Sequence, residues 1–277
     1  RSAAFYALGM AQQLNAPVGI VCTSGSAMLN YYPAVAEAFY QCIPIIVMSA
    51  DRPEEWINQG DGQTIVQKGV YDNHIRFAGV INEIADTPEI ISQLKGEIAH
   101  GFERGNGKWK GPIHFNFPIT EPLYETVERS HVKLPPYESP IGLRFTFSEV
   151  EIESICEVWA SSKKILILCG QMNKNNVLLE RLSILAEDSS VAVLVETTSN
   201  LNCPKFVHCI DRTLSAIHIK EISDFQPDLL ITMGGAVISK KIKDFLRKAE
   251  LKAHWKIGHE FPEMNTYRAL TNSFLCQ

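Results

Sequence analysis

Apolar residues in this chain fall into two patterns: short unbroken runs closed by polar turns, and longer stretches where they recur every three or four positions. The runs at 18–22, 45–48, 113–118, 165–168, 191–195, 229–233 and 254–257 predict strands. Val18-Gly19-Ile20-Val21-Cys22 is apolar throughout, as expected of a strand buried on both faces of a parallel sheet. The periodic stretches predict helices between the runs. One is under way from Arg1, with residues 4, 5, 8 and 11 on one face. A second leads to about Gln41, with Pro33 in its early turns, and a third opens at Asp86-Thr87-Pro88-Glu89 and runs to about Arg104. Ser148-Glu149-Val150-Glu151 is a capping-box signature that starts another. Residues 54–77 are rich in Gly, Gln, Asn and Asp, with a short helical pattern near 63–70.

Strands alternating with helices predict an α/β fold. We expect two three-layer α/β/α domains with mainly parallel sheets, one over 1–130 and one over 148–277. The proline-bearing segment between them, 131–147, reads as a linker. The last residues, from Asn272 to Gln277, show no closing element. The uncapped opening helix reads as that of a fragment whose upstream part is missing.

A strand–helix–strand unit has a right-handed crossover and parallel neighbours. The turns at 23–26 and 49–53 therefore fall on the same edge of the first sheet. Thr23-Ser24-Gly25-Ser26 is small and polar, which lets a ligand approach the backbone, and Ser24 or Ser26 is placed to cap the following helix. Such a turn at the carboxyl edge of an α/β sheet is a ligand site or simply a well-made junction.

Composition narrows the classes. The chain has 277 residues, room for two domains, and its net charge of −5 gives no basic stripe for nucleic acid. No apolar run is long enough to span a bilayer. The seven cysteines are scattered and odd in number, which suits a reducing cytoplasm better than a disulfide framework. Cys203, His208 and Cys209 match no common zinc spacing and lack an evident fourth ligand.

Two cationic sites remain open on chemistry alone. Arg52, in Asp51-Arg52-Pro53, is either a carboxylate clamp at a strand end or one half of an Asp–Arg pair that pins the turn. Lys240-Lys241, after the Gly234-Gly235 turn, is either an anion site or part of a solvated helix face with Lys243 and Lys248. The Gly234-Gly235 turn lacks the spacing of a dinucleotide fingerprint.

Arg1-Ser2-Ala3-Ala4-Phe5, Cys22-Thr23-Ser24-Gly25-Ser26 with Asn30, Ser49-Ala50-Asp51-Arg52-Pro53-Glu54-Glu55, Gln63-Thr64-Ile65 and Gly111-Pro112-Ile113-His114 together resemble the thiamine-diphosphate-dependent enzymes. Asn116-Phe117-Pro118 and Glu121-Pro122-Leu123-Tyr124 complete the set and point to the carboligase branch of menaquinone biosynthesis. The resemblance is firm to about residue 125 and looser beyond.

It implies a pyrimidine-binding domain followed by a central domain, with the diphosphate-binding domain and its Mg2+ motif outside the chain. The family's catalytic glutamate would precede Arg1, so that the chain by itself is expected to be inactive. Thr23, Ser24, Gly25 and Ser26 would face the pyrimidine end of thiamine diphosphate. Arg52, Gln63, Lys240 and Lys241 would contact substrate, namely 2-oxoglutarate and isochorismate. Gly62 stands where relatives often have Asn, and Lys241 where they often have Arg. Gly60-Asp61-Gly62 looks like the opening of the family's metal motif but follows no buried strand, and reads as a coincidental turn. A homodimer or higher homo-oligomer in the cytoplasm is implied. An acetolactate-synthase-like enzyme and a non-catalytic α/β binding module are the alternatives.

Overall fold

A computed structural model describes residues 1–82, 87–107, 109–120, 147–218, 220–258 and 264–274. The chain divides into two compact units, Arg1–Ile141 and Gly142–Gln277. The expected linker at 131–147 lies outside the described residues except for Phe147, as does Glu121-Pro122-Leu123-Tyr124.

The first unit holds a parallel sheet of β1 (Val18–Cys22), β2 (Ile45–Asp51), β3 (Phe77–Val80) and β4 (Ile113–Pro118), in the order β1-β2-β4-β3. Side chains alternate across a strand. One face therefore carries Ile20, Ile45 and Val47, which pack with α1 (Ser2–Leu14), a 3₁₀ turn (Gly25–Tyr31) and α2 (Tyr32–Tyr40). On the other face α3 (Pro88–Asn106) lies so close that a Cβ on Gly101 would come within 2.7 Å of Phe115 and 2.9 Å of Phe77. Thr87 caps α3 by accepting the Ile90 N–H, with Pro88 in its first turn as the sequence reading has it.

Several expectations change here. β1 is an edge strand and is not buried on both faces: Ile20 is buried, but Val21 is 68% exposed because α3 covers β3 and β4 instead. Phe5 of α1 is exposed, while Ala4, Ala7, Leu8 and Ala11 make its buried stripe. The 63–70 segment has no helix. Ser49-Ala50-Asp51 continues β2 and is not turn, so Ser49 and Asp51 point into the same face as Val47. β3 is an additional strand that pairs with β4.

The second unit is built on β5 (Ile165–Cys169), β6 (Val191–Val195), β7 (Leu229–Met233), β8 (Ala253–Ile257) and β9 (Asn272–Phe274). All pair in parallel, in the order β6-β5-β7-β8-β9. β5, flanked by β6 and β7, is an interior strand whose five consecutive buried residues are covered on both faces. Ile165, Ile167 and Cys169 face α4 (Glu149–Ser161) and α5 (Asn176–Leu185); Leu166 and Leu168 face α6 (Ile210–Ala216) and α7 (Lys240–Arg247). The Ser148 capping box on α4 is formed, each partner bonding the other's backbone N–H. β9 is an element the sequence reading lacks; it adds to the sheet edge beyond β8.

Candidate functional site

The chemistry-bearing residues of the first unit gather at the carboxyl edge of β1 and β2. In register, Cys22 lies opposite Ser49, so the turn after β1 and the end of β2 are neighbours. Within the turn, Thr23 and Ser26 are exposed, whereas Ser24 and Gly25 are buried. Neither expected serine cap is needed to hold it. The Ser24 side chain makes no cap bond, and the chain enters a 3₁₀ turn before α2. The Gly25 N–H is taken by the side chain of Gln67 at 2.7 Å.

Gly25 adopts φ +78° and the backbone of Gln63 lies directly over it; a Cβ would come within 2.9 Å of the Gln63 carbonyl. Only glycine meets both demands. Gln63 itself has φ +56° and an exposed side chain. Close by, Arg52 extends from the end of β2 toward the same loop, with Nε 3.9 Å from Asp61 Oδ2. The turn, Arg52 and Gln63 thus share one edge.

Beneath them runs a buried polar network that the sequence reading missed. Gln67 Nε2 donates to Ala50 O at 2.9 Å and to Asn116 Oδ1 at 2.8 Å, with Ser49 Oγ at 3.3 Å. Ser49 Oγ donates to Asn116 Oδ1 at 2.7 Å and pairs with His114 Nε2 at 2.7 Å. Its single proton being committed, Ser49 accepts from His114, which places the imidazole proton on Nε2. Burial holds the imidazole neutral by pushing its pKa down to about 4. Asn116 Nδ2 donates to Asp51 Oδ2 at 2.7 Å, and Asp51 Oδ1 accepts the Arg52 backbone N–H at 2.8 Å. Asp51 therefore anchors the backbone of Arg52, and the Arg52 guanidinium turns to Asp61. The signal available in sequence was Ser49, Asp51, His114 and Asn116 at alternate positions of two apolar runs.

Lys240 and Lys241 open α7 in the second unit and are exposed. Cations at a helix N-terminus oppose the helix dipole. The Glu196 carboxylate offsets part of this by accepting the N–H groups of Ile238 and Ser239 at 2.9 Å each. Lys241 Nζ donates to Ser215 Oγ. The Gly234-Gly235 turn is locked to the loop after β5: Gly235 N–H donates to Gln171 O at 2.7 Å, and a Cβ on Gly170 would sit 2.4 Å from Gly235 O. His208 bonds the Cys203 carbonyl, and among the described residues no group of three or more His, Cys, Asp and Glu is placed to hold a metal ion. No helix among the described residues is long and apolar enough to cross a membrane.

Residues 1–72 match the family described as thiamine pyrophosphate enzyme, N-terminal TPP binding domain. That match covers β1, β2, the 23–26 turn, Arg52, Gln63 and Gln67, and similarity along the rest of the chain extends it. The chain is 44% identical over 280 residues to the 2-succinyl-5-enolpyruvyl-6-hydroxy-3-cyclohexene-1-carboxylate synthase of Flavobacterium johnsoniae, covering 100% of this chain and 49% of that protein. Along its whole length the chain is thus similar to thiamine-diphosphate-dependent enzymes. Proteins of the same name from Flavobacterium psychrophilum and Christiangramia forsetii are each 41% identical, over 99% and 93% of this chain and 48% and 47% of their own lengths. The chain spans about half the length of the curated relatives it matches. Of the first sheet, β1, β2 and the carboxyl-edge turn between β1 and α2 lie within the matched residues 1–72.

Proposed function

We propose that this chain supplies the pyrimidine-binding domain (1–130) and the central domain (148–277), joined at 131–147, of a thiamine-diphosphate-dependent carboligase. The reaction is decarboxylation of 2-oxoglutarate and addition of the succinyl unit to isochorismate, in menaquinone biosynthesis. The observation that carries this reading is the convergence of the 23–26 turn, Arg52 and Gln63 at one sheet edge. Curated relatives named for a succinylated cyclohexene carboxylate give that edge its substrate class.

The donor set suits the cofactor. The exposed hydroxyls of Thr23 and Ser26 both donate and accept, as the nitrogens of an aminopyrimidine require. With Ser24 and Gly25 they would hold that ring. Thiamine diphosphate, when bound, supplies the carbanion chemistry; the protein supplies position and charge. Mg2+ and the diphosphate would be held outside the described residues. Both reactants are acids. Arg52, with its planar fork, and Gln63, Lys240 and Lys241 would bind their oxygens. The working protein would be a homodimer or higher homo-oligomer in the cytoplasm.

The test is turnover by the full-length protein with thiamine diphosphate and Mg2+. Supplied with 2-oxoglutarate and isochorismate, it is expected to release the succinylated product, detected by mass spectrometry. Acetolactate formed from pyruvate in its place would assign the acetolactate-synthase-like reaction. No consumption of either 2-oxo acid would leave a binding module. The 277-residue chain alone is expected to be silent.

A further inference from the structure

We propose that Gln67 is a positioning residue that couples the Thr23–Ser26 turn to the strand end carrying Arg52, so that the cofactor-facing turn and the arginine are held as one unit. This rests on the function proposed above and deepens it. Gln67 is fully buried, yet it comes from a segment with no regular secondary structure. Its carbonyl oxygen accepts the Gly25 N–H, and its amide protons go to Ala50 O and Asn116 Oδ1. From there the bonds continue without a gap: Asn116 to Asp51, and Asp51 to the Arg52 backbone N–H. One side chain therefore joins the turn after β1, the end of β2 and the end of β4.

A purely structural requirement would not select this residue. Positions earlier on the same sheet face, Ile20, Ile45 and Val47, are filled by apolar side chains, which cost no desolvation of polar atoms. A buried amide is tolerated only when its bonds are made, and then it specifies a single arrangement. Here the specified arrangement is that of the two groups the reaction needs at a constant separation.

Two variants test this in the full-length protein. Gln67→Met keeps the volume and removes every polar bond. It is expected to remain folded by circular dichroism while its Kd for thiamine diphosphate and its KM for 2-oxoglutarate each rise about tenfold, the value of roughly one lost hydrogen bond at the turn. Gln67→Glu adds a signature that a structural role would not produce. Its protonated carboxyl both accepts from Gly25 and donates to Asn116 or Ala50, whereas its carboxylate faces those two oxygens with no proton to give. Cofactor affinity is expected to be near wild type at low pH and to weaken as pH rises, a slope absent from the wild type.

The titratable groups joined to that position are His114, through Ser49, and Asp51, through Asn116, with Tyr71 packed on the His114 ring; all remain in the wild-type control. If the wild type binds cofactor and turns over but both variants bind it equally well at every pH, the coupling role is overturned and the function stands. A wild type that neither binds thiamine diphosphate nor consumes 2-oxoglutarate overturns the function, and this inference with it. Should Gln67→Met not fold, the pH slope of Gln67→Glu decides alone.

Discussion

The carbonyl of Gln63 lies where a side chain on Gly25 would begin: a Cβ at Gly25 would be 2.9 Å from that oxygen. The loop bearing Gln63 is thus seated on the backbone of the turn at 23–26, and the absence of a side chain permits it. Gly60 has a similar φ, +82° against +78°, but nothing within 4 Å of its notional Cβ. The two glycines separate conformational strain from contact. Gly60→Ala is expected to cost about 1 kcal/mol, the strain of a left-handed alanine. Gly25→Ala adds a backbone clash and is expected to cost about 3 kcal/mol or more. Urea denaturation of both variants measures the difference; equal losses would mean that the Gln63 loop is free to move away.

Asp61 sets a second prediction. Its carboxylate, half exposed, stands 3.9 Å from Arg52 Nε and competes with any acid that approaches the guanidinium. With its carboxylate open to solvent and 3.9 Å away, a pair of this kind is weak, worth up to about 1 kcal/mol. Asp61→Asn is therefore expected to lower KM for 2-oxoglutarate roughly two- to fivefold with kcat unchanged, the fold-change that such an energy gives. Arg52→Lys is expected to raise KM, because a point charge cannot replace the planar fork. Steady-state kinetics on the full-length protein read both. A rise in KM for Asp61→Asn would show that Asp61 orients Arg52 and does not compete with substrate.

His114 gives the third. Burial lowers its pKa from 6.5 to about 4. Between those values the unfolded chain binds the proton and the folded one does not, so stability rises with pH across this window. It is complete above about pH 6.5, lost as pH falls toward 4, and level below that. The loss is on the order of 3 kcal/mol. In the second unit, His254 is lowered to about 4, by burial first and then by Lys256, and acts with the same sign. His114→Asn retains a polar group beside Ser49 but does not titrate. Denaturation midpoints followed from pH 7 to pH 4 are expected to fall less in this variant than in the wild type. A parallel fall would place the acid sensitivity elsewhere.

Much of the framework is legible in the sequence. β2 and β4 to β8 follow from apolar runs of strand length, and α3 and α4 from Thr87-Pro88 and the Ser148 capping box, all local signals. The shared edge of the 23–26 turn and Arg52 followed from the parallel pairing that a strand–helix–strand unit gives β1 and β2. β3 and β9 were not legible. Phe77–Val80 and Asn272–Phe274 are four and three residues long, and they are strands because β4 and β8 offer an open edge to pair with. Ser49 and Asp51 read as turn residues because polar side chains in a strand need partners, and those partners, Asn116 and Gln67, are distant in sequence.

By itself, the sequence determined the two parallel α/β sheets, the small polar turn after the first strand and the arginine one strand over. These depend on periodicity, residue size and chain handedness, which act within about thirty residues of chain. Tertiary structure alone decided what lies between them: Gln67 beneath Gly25, Gln63 above it, and Asp61 beside Arg52. A glutamine in an irregular stretch carries no local mark of burial. It becomes a joint only when folding removes water from it and leaves three strand ends as its remaining partners.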